Sequence, residues 1–125
     1  MVIHNMNLWN DSFEAIRLKT KTIEMRLNDE KRRLINVGDL IEFTDKQTNE
    51  KLKCLVINIY KYQDFYELYK HHDKISIGYS RNEIARPEDM LEYYTANEIY
   101  KDGVLAIELK LFDESIIKKV VSGKN

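Results

Sequence analysis

The stretch KTIEMRL at positions 21–27 decides the fold of this 125-residue chain. Read as a β-strand, whose side chains alternate between two faces, it separates into an apolar and a polar side. The apolar side consists of Ile23, Met25 and Leu27, and the polar side consists of Thr22, Glu24 and Arg26. The pattern predicts a half-buried strand. Its acid and base, next to the charged run at 29–33, make the polar side a candidate wall of a binding cleft.

Further strands and short helices are predicted on both sides of this segment. Alternating or β-branched apolar residues predict strands near 2–8, 40–44, 51–62 and 104–112. Helices are predicted near 11–18, 64–71, 87–94 and 95–102. Strands at both ends with helices between them give an α+β order. Because a closed sheet protects its edges, we expect a small barrel of about five strands flanked by short helices.

Particular residues predict where these helices begin. Asp11 or Ser12 is expected to cap the first helix through its side-chain oxygen. Asp64 and Thr95 are each followed three residues later by glutamate, which is typical of a helix start. Pro87 fits the first turn of the helix between them.

Charge is distributed unevenly along the chain. The net charge of −1 excludes a uniformly basic nucleic-acid binder, and 43% hydrophobic residues indicate a single folded domain. Residues 17–33 nevertheless contain seven bases and three acids, a balance of +4, which leaves −5 for the rest. Any anion-binding surface is therefore expected to be local.

The sequence carries few signals of compartment or cofactor. Cys54 is the one cysteine and lies in an apolar run, so we expect a buried, inert thiol. Neither a leader pattern nor an apolar run of about 20 residues is present, which favours a cytoplasmic protein without membrane contact. The three histidines have no metal-ligand spacing, so neither a metal nor another cofactor is expected.

Candidate site residues allow more than one interpretation. Lys21 and Glu24 suit either a plain ion pair or a proton shuttle, and the ion pair is the simpler of the two. The basic run at 31–33 is either solvated or in contact with phosphate. Tyr79, in a loop with Arg81, either covers the core or stacks on a base. Other aromatic residues, such as Trp9 and Tyr93, are expected to be packing residues.

Several of these residues together resemble the ASCH domain family, which belongs to the PUA-like superfamily of small β-barrels. The matching segments are Phe13-x-x-Ile16, KTIE-x-RL at 21–27, DEKR at 29–32, VGD-x-I-x-F at 37–43, Phe65-x-x-Leu68-Tyr69, Gly78-Tyr79, Pro87-x-x-Met90 and GV-x-AIE at 103–108. The resemblance implies a domain over 1–112 and leaves 113–125 as a C-terminal tail or appended helix. It also implies a cleft between barrel and helices, lined by the polar side of 21–27.

The resemblance implies that RNA or a nucleotide or nucleoside binds in this cleft. The residues expected to bind it are Lys21, Thr22, Glu24, Arg26, Lys31, Arg32 and Tyr79. Cations in this set would contact phosphate or a base edge, Glu24 would accept hydrogen bonds from a base, and Tyr79 would stack.

One branch of the family implies a second interpretation, because it hydrolyses N4-acetylcytidine with a Lys-Thr-x-Thr motif. Lys21 matches the lysine that acts as base, but Glu24 stands where that branch has its threonine nucleophile. Glu83 is the nearest candidate for the later acid. A hydrolase of such a nucleoside or of single-stranded RNA is therefore an alternative, and a protein-interaction module is a third. The family also usually ends its first helix with glycine, where this chain has Lys19.

Overall fold

The computed structural model describes residues 1–112, so the predicted tail at 113–125 lies outside the described residues. The strands are β1 (Ile3–Leu8), β2 (Ile23–Leu27), β3 (Leu40–Asp45), β4 (Lys51–Tyr62) and β5 (Val104–Leu111). The α-helices are α1 (Asn10–Arg17), α2 (Phe65–His71) and α3 (Ala96–Asp102). Two 3-10 helices cover Arg32–Leu34 and Pro87–Glu92.

The strands form one curled half-barrel sheet in the order β1-β3-β4-β5-β2. β1 runs parallel to β3, and the other neighbouring strands are antiparallel. β1 and β2 are the edges, and the seam between them is bridged where Arg26 Nη2 donates to the Asn7 carbonyl at 2.9 Å. The predicted α+β fold, a small barrel-like sheet of five strands with flanking helices, is confirmed.

Two apolar clusters cover opposite faces of this sheet, as the alternation along β5 shows. Leu105 and Ile107 belong to the first cluster, which α1 covers with two buried side chains. Val104 and Ala106 belong to the second, which packs beneath α2 and the second 3-10 helix. β2, β4 and β5 contribute side chains to the second cluster, whereas the buried apolar side chains of β1 and β3 that are assigned to a cluster belong to the first.

The predicted strand at 21–27 is shorter in the structure, where β2 begins at Ile23, and the predicted alternation holds over Ile23–Leu27. Ile23 and Leu27 are buried in the second cluster. Glu24 pairs with Ile107 in register, and Arg26 pairs with Leu105. Because paired residues point to the same face, the polar side of β2 lies on the face of the sheet that carries the first cluster, beside the seam.

The predicted start of the first helix is wrong. α1 begins at Asn10 and follows Trp9, which supplies no side-chain cap, so neither Asp11 nor Ser12 caps it. The helix begins earlier because a single residue separates it from β1, and Asn10 Nδ2 is tethered to Asp45 Oδ2 at 2.7 Å. Ser12 therefore lies inside α1, and its hydroxyl caps no helix.

The later helix starts agree with the sequence. Asp64 accepts a hydrogen bond from the Glu67 amide, and Thr95 forms a complete capping box with Glu98. Pro87 does begin a helical segment, but that segment is a 3-10 helix ending at Glu92.

The backbone at Lys19 and the burial of Cys54 are two further local features of the fold. Lys19 takes a left-handed conformation with φ of 68°, so the backbone turns here as a glycine would allow. Cys54 is fully buried, as predicted, and this burial raises the pKa of its thiol to about 12. Across residues 1–112, no helix has both the length and the apolar character needed to span a bilayer.

Candidate functional site

A cleft of about 370 Å³ opens beside the seam between β1 and β2. The start of α1 forms one wall, and the segment 77–94 forms the other. Three of the predicted site residues on or just before β2 lie at its floor: Lys21, Glu24 and Arg26. A cavity with a charged floor thus lies between the sheet and the helical segments, and its role as a ligand cleft stays a prediction.

The floor is a buried network of three charges. Lys21 Nζ lies 2.8 Å from Glu24 Oε1, and Arg26 Nε lies 2.6 Å from Glu24 Oε2. Lys21 is 7% exposed and Glu24 is 4% exposed. One carboxylate thus faces two cations in a place with little water, where each hydrogen bond is charge-assisted.

The charged groups on this floor keep one another ionised. Burial alone would raise the pKa of Glu24, but the nearby Lys21 ammonium and Arg26 guanidinium outweigh it and hold that pKa below its usual range. Burial alone would lower the pKa of Arg26, yet Glu24 keeps it raised. Glu24 is therefore ionised at neutral pH and is poorly suited to donate a proton.

Lys21 is also held by two neighbours outside the strand. Its Nζ donates to Ser12 Oγ at 3.4 Å. Gly78 lies against its side chain, where a Cβ atom would come within 3.3 Å of Lys21 Cδ, and its φ is +117°. A glycine at this position lets the loop close over Lys21. No sequence pattern pointed to Ser12 as a neighbour of Lys21, since it was predicted only as a possible cap.

Tyr79 lies in the cleft wall with its hydroxyl engaged. It donates to Asp89 Oδ2 at 2.7 Å, and the Tyr69 hydroxyl lies 2.8 Å away. Partial burial and these hydrogen bonds raise the pKa of Tyr79. The ring of Tyr69 meets that of Tyr79 edge-on at 5.9 Å. Tyr79 is thus fixed in orientation, and its stacking on a base stays a prediction.

Two aromatic residues that sequence reasoning assigned to packing lie in the lining of the cleft and are exposed. Trp9 is 57% exposed and Tyr93 is 55% exposed. The Lys46 ammonium lies 4.2 Å from the centre of the Trp9 ring, a cation–π distance. A usable signal was the position of Trp9 between a strand and a helix, where no core face is defined.

The other predicted site residues lie in different places. Glu83 lines the cleft and accepts a hydrogen bond from the Ser80 amide at 2.7 Å. Thr22 is absent from the lining, and its amide donates to the Ser76 carbonyl at 2.9 Å. Lys31 and Arg32 also lie outside the cleft, and Arg32 Nη1 is 2.9 Å from an oxygen of Asp29.

The charges that line the cleft are mostly negative. Its carboxylates are Asp11, Glu24, Glu83, Asp89 and Glu92, and its cations are Lys21, Arg26 and Lys46. A phosphate would therefore meet more repulsion than attraction here. Within residues 1–112, no group of three or more His, Cys, Asp or Glu side chains is placed to hold a metal ion.

Comparison with known proteins now decides the family, because the ASCH domain family model matches residues 6–112. This chain belongs to the ASCH domain family. The match begins within β1 and spans the other four strands, the helices and every residue of the cleft floor. A search of proteins with curated descriptions finds no significant match.

Solved structures agree with this assignment. The crystal structure of the hypothetical protein PH0355 is similar, with 30% identity and a TM-score of 0.76, over 89% of this chain and all of that one. Protein PF0455 from Pyrococcus furiosus has 31% identity and a TM-score of 0.69, over 90% of this chain and 99% of that one. The S128A mutant of ZmASCH from Zymomonas mobilis, at 15% identity, shares the fold. Its TM-score is 0.63 over 96% of this chain and 80% of that one.

Proposed function

We propose that this ASCH domain binds RNA or a nucleotide and that a base enters the cleft. One observation carries the proposal: the exposed rings of Trp9 and Tyr93 lie in the lining of a cleft whose floor is a buried charged network. Aromatic faces stack on any base, and fixed polar groups beneath them can read its edge. A cytoplasmic location, expected from the sequence, fits such a partner.

The floor would act mainly as a source of hydrogen-bond donors. Lys21 and Arg26 carry eight N–H groups between them, more than their contacts with Glu24, Ser12 and Asn7 use. Each oxygen of Glu24 already accepts one of these, so its first role would be to hold both cations in place. Its predicted contact with a base would use the remaining lone pairs.

The negative lining of the cleft refines the predicted phosphate contacts. With five carboxylates and three cations, the cleft favours an uncharged base over a phosphate. Asp89 and Glu92 would accept hydrogen bonds from the amino groups of a base. Contacts with phosphate would then fall to cations outside the cleft, among them the predicted Lys31 and Arg32.

The proposal can be tested with a labelled single-stranded RNA and fluorescence anisotropy. Tyr93→Ala should weaken binding roughly 5- to 150-fold, since stacking on one base contributes about 1–3 kcal/mol. Tyr100→Ala is the matched control, because Tyr100 is 91% exposed and absent from the cleft lining. Equal affinities of the two variants would overturn the proposed role of the cleft.

A hydrolase is the second candidate, and the position of Ser12 favours it. Its hydroxyl, 3.4 Å from Lys21 Nζ, supplies an oxygen nucleophile beside a lysine, although Glu24 replaces the family threonine. Glu83 at the rim would be the predicted acid. Against this, Lys21 donates to Glu24 at 2.8 Å and must lose that proton before it can act as a base.

Turnover separates the two candidates. A hydrolase would convert N4-acetylcytidine or cleave single-stranded RNA, and both Lys21→Ala and Ser12→Ala would abolish that activity. Binding without turnover would support the first candidate. If RNA and nucleosides neither bind nor react, the third interpretation, a protein-interaction module, remains.

A further inference from the structure

A second groove, of about 260 Å³, lies beyond the C-terminal end of β2. Its rim carries Asn28, Arg32, Arg33 and Lys61, and buried Leu105 lies in its floor. These residues come from the end of β2, the first 3-10 helix, β4 and β5. The groove therefore depends on the sheet order, which places β5 between β2 and β4.

Its lining contains three cations and no carboxylate. Arg32 is paired with Asp29, and Arg33 Nη2 lies 3.6 Å from Asp102 Oδ1, which is long for a hydrogen bond. Lys61 is exposed and has no ion-pair partner within residues 1–112. The groove consequently keeps positive charge that its neighbours do not neutralise.

The corner between Asn28 and Arg32 also contains unpaired polar atoms. Asn28 Oδ1 and Arg32 Nε are the two buried side-chain atoms in the described part of the chain that lack a hydrogen-bond partner. Buried polar groups in native proteins nearly always have a partner. Arg32 lines the groove, and its Nε–H is a hydrogen-bond donor that no group in residues 1–112 satisfies.

We propose that this groove binds a phosphate of an RNA backbone. The inference rests on the proposed function and adds to it a phosphate site separate from the base-binding cleft. Arg32, Arg33 and Lys61 would donate to the phosphate oxygens. Asn28 lies about 13 Å from Glu24 along the direction of β2. An RNA strand with one base in the cleft can therefore reach the groove with its backbone.

The salt dependence of RNA affinity tests this site. For single-stranded RNA, the logarithm of the association constant decreases linearly with the logarithm of salt concentration. Each lost phosphate contact makes this negative slope shallower by about 0.7. Lys61→Gln and Arg33→Gln should each make the negative slope shallower by about 0.7. Lys110→Gln is the control, because Lys110 is exposed, carries the same charge and lines neither the cleft nor the groove.

The outcomes distinguish the two proposals. A shallower salt dependence for Lys61→Gln than for Lys110→Gln supports the phosphate site in the groove. Equal slopes overturn that site and leave the cleft proposal intact. If the wild-type chain binds no RNA at low salt, both proposals fail. Tyr93→Ala should weaken RNA binding without changing its salt dependence. That result would show that the cleft and the groove contribute differently to affinity.

Discussion

The cleft lies along β2 and the groove lies just beyond the C-terminal end of that strand, but the two differ in charge and in how that charge is held. In the cleft, Glu24 is almost fully buried and binds both Lys21 and Arg26. In the groove, Arg32 forms a partly exposed pair with Asp29, which lies outside the lining, and Lys61 has no ion-pair partner among the described residues. A preorganised buried network suits recognition of a base, whereas cations closer to solvent suit attraction of a phosphate.

The largest expected effect comes from breaking the buried network. Glu24→Gln leaves two cations without their carboxylate in a desolvated place, so we expect a loss of about 3–5 kcal/mol in the free energy of unfolding. Asp29→Asn breaks the pair that Asp29 forms with Arg32 beside the groove, where solvent screens the charges, and should cost about 1 kcal/mol or less. Urea unfolding of both variants measures the difference. Similar losses would contradict the contrast between the two sites.

The next effect concerns the loop over Lys21. Gly78→Ala should destabilise the fold by about 1–3 kcal/mol, because a φ of +117° is strained for alanine and its Cβ would press on Lys21. Gly38→Ala is a matched control, since Gly38 has φ of +96° but no atom within 4 Å of its Cβ position. Thermal unfolding should show the larger loss for Gly78→Ala. The reverse order would show that Lys21 is not confined by this loop.

Acid should affect the two sites differently. The pKa of Glu24 is lower in the folded than in the unfolded chain, so its stabilising contribution is complete above the unfolded value, about 4.3. It is lost as pH falls below that value, because folding then requires the unfolded chain to give up a proton. Asp39, whose pKa the hydrogen bond from His4 lowers to about 2, adds to the same loss.

Unfolding curves between pH 5 and pH 2 test this difference. Glu24→Gln should flatten the decline in stability relative to wild type, whereas Lys61→Gln should follow the wild-type decline. A wild-type slope in the Glu24→Gln variant would mean that Glu24 does not carry the effect.

The smallest effect lies at the end of α1, which positions Ser12 at the cleft. Lys19→Gly should stabilise the chain by about 1 kcal/mol or less, since φ of 68° suits glycine but glycine also gains freedom in the unfolded chain. RNA affinity should stay unchanged, because Lys19 lines neither site. A loss of stability, or a change in affinity, would show that Lys19 has another role.

Much of the fold followed from local patterns. Alternation along 21–27 gave the two faces of β2, and Asp64 and Thr95 marked two helix starts, because these signals act over a few residues. The start of α1 was missed, since the tether between Asn10 and Asp45 joins residues 35 positions apart.

The candidate sites were less predictable for the same reason. Lys21 and Glu24 are neighbours in sequence, so their pairing could be predicted. Ser12 reaches Lys21 only after α1 packs on the sheet. Lys61 lines the same groove as Arg32 only because the strand order places β4 and β2 on either side of β5. Such contacts depend on strand order and helix docking, which local patterns do not specify.

Intrinsic fluorescence tests the central claim most directly, because Trp9 is the one tryptophan of the chain and lies in the lining of the cleft. The account predicts saturable quenching when single-stranded RNA is added, with the same midpoint as the anisotropy of the labelled RNA. Tyr93→Ala should move both midpoints to higher concentration together. RNA binding that leaves Trp9 fluorescence unchanged would contradict a base-binding cleft.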